Sequence, residues 1–112
     1  IFSFYDNKQS KKFLYPSIKD KIRNLKNKNT LKISNAYNVI DIQKAENVVK
    51  IIVKLFEKKA KGIVNIGTGK GISVKNFAKR LTKKKIIIDT KKHNKTYYVA
   101  NIKKLNLLIK NG

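Results

Sequence analysis

Three groupings of residues in this chain have types and spacings that could do chemistry. The first is Gly67-Thr68-Gly69-Lys70-Gly71-Ile72-Ser73. Alternating glycines let a backbone turn sharply through angles that side chains forbid, and the amides of such a turn can converge on a phosphate. A nucleotide P-loop needs four residues between its first glycine and a Gly-Lys-Ser/Thr ending. Here Lys70 precedes Gly71, and Ser73 lies two residues past it, so the register is wrong. A dinucleotide fingerprint needs G-x-G-x-x-G and an acidic residue about twenty positions on. Gly67, Gly69 and Gly71 miss that spacing, which makes Asp89 after Ile86 to Ile88 a false match. The turn therefore reads as structural.

The second grouping is Tyr15 and Lys19, one helical turn apart, where lysine can lower a tyrosine pKa electrostatically for proton transfer. Pro16 would lie between them, inside such a catalytic helix rather than at its start. The third is the lysine population, with 28 Lys and Arg against 6 Asp and Glu, for a net charge of +22. A charge of that size ordinarily suggests nucleic acid. Yet Lys, Asn and Ile make up about half the chain, Arg occurs only at Arg23 and Arg80, and the lysines are spread over every element. A phosphate-binding face is more often a cluster with aromatic or Arg contacts. Solvated polar faces explain the pattern better, and a small basic nucleic-acid-binding domain is kept as the alternative.

The elements that must position these groups follow from periodicity. Ile63, Val64 and Ile66 form a short apolar run bounded by glycines, the pattern of a buried strand. Ser73 suits a helix cap, and Val74, Phe77, Ala78 and Leu81 follow at the i, i+3, i+4, i+7 spacing of a helix with one buried face. Ile1 to Phe4 reads as a strand end. Pro16 suits the first turn of a helix striped by Ile18, Ile22 and Leu25. Leu31 to Ile33 and Tyr37 to Ile40 are expected to pair as a hairpin across Ser34 to Ala36. Asp41 is expected to cap a helix that buries Ala45, Val48, Val49, Ile52, Leu55 and Phe56, with Gly62 stopping the chain after it. Ile86 to Ile88 is a further strand, and Asn101 caps a last helix carrying Ile102, Leu105 and Ile109. Lys26 to Asn29 and Lys91 to Lys95 read as connections.

With 112 residues the chain holds one domain at most. It begins at Ile1 and contains no Met, which reads as an excerpt of a longer protein. The absence of Cys excludes disulfides, thiol catalysis and most zinc sites. No apolar run approaches bilayer length and nothing reads as a signal peptide, so the expectation is a cytoplasmic protein without a membrane partner.

Taken together, several segments resemble a known family. N-I-G-T-G-K-G-I-S-V-K-N-F-A, Asn65 to Ala78, is similar to the carboxyl-terminal half of the extended short-chain dehydrogenase/reductases, the NAD-dependent epimerases and dehydratases of nucleotide-diphosphate sugars. Phe2 to Asn7 resembles their F-N-V-Y-G-P, Phe13 to Ile18 their L-I-P-S-I, Val39 to Val49 their V-R-D-F-I-H-V-D-D-V-A, and Tyr98 to Leu105 their Y-x-A-D-x-x-K-A/L. The resemblance spans nearly the whole chain. It implies an α/β fold: the C-terminal portion of an NAD(P)-binding Rossmann-type protein, residues 1–112 forming a small substrate-binding subdomain with a short hairpin and about four helices. The N-terminal cofactor-binding Rossmann part is expected to lie outside this chain and to be its partner, with a homodimer possible in the parent. In that family a Tyr-x-x-x-Lys pair lies far upstream of N-I-G-T-G, whereas Tyr15 is about fifty residues from Asn65. No catalytic residue is therefore expected here.

The resemblance further implies substrate contacts at Ser3, Leu14, Lys32, Ser34, Lys91 and Asn94. Leu14 would present its backbone near the nucleotide. Lys32 and Ser34 would meet the base through main-chain groups. Lys91 and Asn94 stand where the family has an Arg and an Asp for the diphosphate and a ribose hydroxyl; lysine neutralises phosphate as a point charge without the bidentate fork. Ile40 replaces the Arg of V-R-D, Ser3 replaces an Asn, and Asn101 replaces an Asp. NAD or NADP is expected in the parent and not in this chain alone.

Overall fold

The computed structural model describes residues 1–25 and 29–110; the connection expected over Lys26 to Asn29 thus lies outside them except for Asn29. Four helices form where apolar spacing and termini agree. In α1 (Leu14–Arg23), Pro16 falls in the first turn, where its missing amide leaves no helical bond unmade. Ile18 is fully buried and Lys21 and Arg23 occupy the last turn, favourable to the helix dipole. α3 (Val74–Arg80) opens on Ser73, whose hydroxyl accepts from the Asn76 amide at 3.0 Å, and buries Val74, Phe77 and Ala78, as the sequence predicts. α4 (Lys103–Lys110) follows Asn101, whose side chain accepts from the Lys103 amide at 3.1 Å, and buries Leu105.

α2 (Ala45–Glu57) departs from expectation at both ends. Its N-cap is Lys44, which makes no side-chain capping bond. It also stops before Gly62: Lys59 takes the left-handed conformation, φ +55°, and the amides of Lys59 and Ala60 return to the carbonyls of Phe56 and Leu55.

Strand pairing is mostly parallel. β1 (Ser3–Tyr5) runs beside β4 (Ile42–Lys44), and β2 (Thr30–Lys32) beside β6 (Ile87–Asp89), with Leu31 opposite Ile88. β3 (Val39–Ile40) lies between β5 (Ile72–Ser73), antiparallel, and β7 (Tyr97–Tyr98), parallel. The hairpin expected between Leu31–Ile33 and Tyr37–Ile40 does not form. A hairpin tip faces solvent, but Ala36 is fully buried. The turn instead docks on the start of α3, where Lys75 donates to the Ala36 carbonyl at 2.8 Å and Val74 to that of Asn38 at 2.9 Å. The strand expected at Ile63 to Ile66 is also absent. Ile66 is buried and its carbonyl accepts from the Phe2 amide at 2.8 Å, but Ile63 is 87% exposed and the Lys104 ammonium occupies its carbonyl.

The core gathers Ile18 of α1, Leu31 and Ile33, the Ala36 turn, Val74, Phe77 and Ala78 of α3, and Ile86. Tyr5, Tyr15 and Phe77 pack ring against ring along its border at 4.7–6.4 Å. Ile40 is half-buried against this core. Among the described residues no helix is long and apolar enough to cross a membrane.

Candidate functional site

A cleft of about 580 Å³ opens where β2 and β6 end side by side. That size is in the range that holds a small molecule. Lys32, Ser34 and Lys91, chosen from the sequence for a nucleotide diphosphate, all line it. They come together because the parallel ladder sets Lys32 opposite Asp89 and the Ile33 amide donates to the Asp89 carbonyl at 3.0 Å. Both chains then leave the sheet at the same edge and diverge around the cleft. Asn35, held in the left-handed region at φ +57°, turns the first chain, and the Thr90 hydroxyl accepts from the Ala36 amide at 3.4 Å to tie the second chain to it.

The cleft also contains groups the sequence reading missed. Lys21 reaches in from α1 and donates to the Lys32 carbonyl at 2.8 Å. Its position at the border of the Ile18, Ile22, Leu25 stripe, three residues after Ile18 and four before Leu25, was the available signal. His93, the single histidine, closes the far side. Its Nε2 accepts from the Tyr37 amide at 3.3 Å, and Nδ1 lies 3.0 Å from the Asn94 carbonyl. A neutral ring protonated at Nδ1 satisfies both, an assignment made from the network. The Tyr37 and His93 rings stack with centroids 5.6 Å apart, and the Lys75 ammonium sits 6.0 Å over the tyrosine. The cleft lining therefore combines three lysines, the His93 ring and one carboxylate, Asp89, with Tyr37 stacked behind the histidine.

Of the other expected contact residues, Ser3 and Leu14 do not line the cleft. Ser3 is paired with Ile42 in β1, and Leu14 packs its side chain against the core. Asn94 is exposed beside the cleft and presents its carbonyl to His93. Tyr15 and Lys19 both donate to Asn7 Oδ1, at 2.9 and 3.3 Å, with the ammonium 5.1 Å over the tyrosine ring. Both side chains are thus engaged in one exposed surface cluster.

The glycine turn is filled from inside. Asp41, expected to cap α2, is instead fully buried against it. Oδ1 accepts from the Thr68 amide at 2.8 Å and the Thr68 hydroxyl at 2.6 Å; Oδ2 accepts from the amides of Gly69 at 2.9 Å and Ala100 at 3.1 Å. Burial pushes the carboxyl up, but the Thr68 hydroxyl and the three amides outweigh it and hold the group below its ordinary value. The amides that would cradle a cofactor pyrophosphate are already spent on an internal anion, so the turn does not fit NAD. The glycines serve two different needs here. Gly69 takes φ +75°, whereas a Cβ at Gly67 would stand 2.6 Å from Ala100 Cβ and 2.7 Å from Asp41 Oδ2.

No protein-family model and no curated protein matches the sequence. Solved structures do match in fold. RMD from Pseudomonas aeruginosa, complexed with NADPH, aligns at a TM-score of 0.76 and 13% identity, over 96% of this chain and 39% of its own. MoeE5 in complex with UDP-glucuronic acid and NAD aligns at 0.70 and 17%, over 97% and 38%. TunA, an NAD-dependent NDP-hexosamine 5,6-dehydratase of tunicamycin biosynthesis, aligns at 0.76 and 18%, over 96% and 37%. This chain has the fold of the C-terminal part of these enzymes and spans under two fifths of their length.

Proposed function

We propose that this chain binds the nucleotide-diphosphate sugar of an NAD(P)-dependent epimerase, dehydratase or reductase and does not turn it over alone. The observation that carries the reading is the cleft: Lys32, Ser34 and Lys91, nearly sixty residues apart in sequence, line one cavity. Lys91 supplies charge for a diphosphate, and the His93 ring, backed by the Tyr37 ring stacked on it, supplies a flat wall for a ring. The proteins of like fold support the same class, since MoeE5 was solved with UDP-glucuronic acid and TunA acts on an NDP-hexosamine.

The cofactor, when bound by an N-terminal Rossmann part of the parent, supplies the hydride chemistry; this chain's residues hold and orient the sugar nucleotide. The outer face of α2, where Val49, Val53 and Phe56 are exposed, suits docking of that part. Calorimetric titration with UDP-, GDP- and dTDP-sugars at two salt concentrations tests the assignment. The expected result is saturable one-site binding, weakened roughly two- to fivefold by Lys91→Ala. Binding indifferent to the nucleotide, growing with polyanion length and falling steeply with salt, would instead identify a basic nucleic-acid surface. Tight stoichiometric binding of NAD by the chain alone would also overturn the reading.

A further inference from the structure

We propose that Asp89 selects a guanine base, so that the nucleotide sugar taken by this cleft is a GDP-sugar; the inference rests on the cleft being a nucleotide-diphosphate site. The chain has only 6 acidic residues against 28 basic ones, and one of the six lines the cleft that would hold an anion. Beside a diphosphate a carboxylate is repulsive. It must therefore face a part of the ligand that donates hydrogen bonds.

Its place in the ladder says which part. Asp89 is the register partner of Lys32 and precedes Lys91 by two residues, so it stands at the Lys32 end of the cleft. That is the base end if Lys91 meets the diphosphate. The Lys32 carbonyl, an acceptor otherwise suited to a base, is already taken by the Lys21 ammonium at 2.8 Å. Among the described residues the Asp89 carboxylate forms no ion pair, the one recorded being Lys11 with Asp20.

Two carboxylate oxygens match two adjacent donors. Guanine offers that pair on its Watson–Crick edge, the N1–H and the exocyclic N2–H, both of which a carboxylate can accept from at once. Uracil and thymine offer a single N3–H between two carbonyl oxygens, each of which a carboxylate repels. Ribose and diphosphate are common to GDP and UDP, so any difference in affinity between them reports the base.

The test is titration of the 112-residue chain with GDP, IDP and UDP, and of Asp89→Asn with GDP and UDP. GDP is expected to bind about tenfold tighter than UDP, at the low end for a bidentate base contact, with IDP between them because it keeps N1–H and lacks the N2 amino group. Asp89→Asn is expected to weaken GDP by a similar factor and to leave UDP unchanged or tighter, because a negative charge has left a diphosphate cleft. UDP binding as well as GDP to the unaltered chain overturns the proposal while leaving the cleft assignment intact. An equal loss for both nucleotides in Asp89→Asn moves the carboxylate to the ribose and also overturns it. Binding of neither nucleotide removes the cleft assignment itself, and the proposal with it. If Asp89→Asn failed to fold by circular dichroism, the GDP, IDP and UDP ranking on the unaltered chain would still decide.

Discussion

At the scale of single residues, Asp41 is the group on which the local architecture turns. Each of its oxygens accepts two bonds, so four donors from Thr68, Gly69 and Ala100 converge on one side chain. Asp41→Ala would leave three amides unpaired in a buried site, at about 3 kcal/mol or more. Asp41→Asn is expected to cost nearly as much, because its amide nitrogen would meet two donors with a third. Urea unfolding of the two variants checks both. The pH dependence has a definite sign. A carboxyl held below its usual value contributes stability that is fully present above its unfolded pKa of about 3.9 and is lost as pH falls through the lower folded value. The difference in stability between the unaltered chain and Asp41→Asn should therefore be constant above about pH 5 and shrink in acid. An unchanged difference at pH 3 would show that the four bonds do not bias the ionised form. None of this was legible locally: Asp41 precedes a helix and looks like its cap, while its true partners lie 27, 28 and 59 residues away. Lys21 and Asp89 escaped notice in the cleft for the same reason, since only tertiary pairing brings them beside Lys32.

At the scale of elements, α2 forms where its apolar spacing predicts, but Val49, Ile52 and Phe56, expected to be buried, are exposed. Its apolar residues span about 200° of the helical wheel. The half carrying Ala45, Val48 and Leu55 is buried or half-buried over β1, β4 and α4. The other half, Val49, Ile52, Val53 and Phe56, again at i, i+3, i+4, i+7, is exposed, with Phe56 at 85%. Val48→Ala is therefore expected to cost about 1–2 kcal/mol in thermal or urea unfolding, and Phe56→Ser under about 0.5 kcal/mol. Equal costs would mean that the outer face is covered in solution. The helix end gives a stabilising change: Lys59→Gly removes a side chain from φ +55° and should add about 0.5–1 kcal/mol. Helices α1, α3 and α4 were readable because capping and i, i+3, i+4 spacing are local. Strand partners were not, because Leu31 meets Ile88 across 57 positions and a two- or three-residue strand carries almost no periodicity of its own.

At the scale of the whole molecule, the exposed α2 face is part of a larger imbalance. A compact monomer of 12.9 kDa exposes about 6,300 Å² and one of this length has a radius of gyration near 13 Å, whereas this chain exposes 8556 Å² with a radius of 16.4 Å. The excess, about 2,200 Å², is the area one side of a large permanent interface would cover. It has a direct consequence for unfolding. With about 18,700 Å² exposed in the extended chain, folding removes about 10,100 Å², against about 12,400 Å² for a compact domain of the same mass. The denaturant dependence of stability scales with that area. The urea m-value of the isolated chain should thus be about four fifths of that of a compact domain of 112 residues. A full-sized m-value that is independent of protein concentration would mean that the monomer closes over its own α2 face in solution. A full-sized value that grows with concentration would mean that a second copy covers it. The reduced value, with a solution radius of gyration near 16.4 Å, is the one expected if this face stays uncovered in solution.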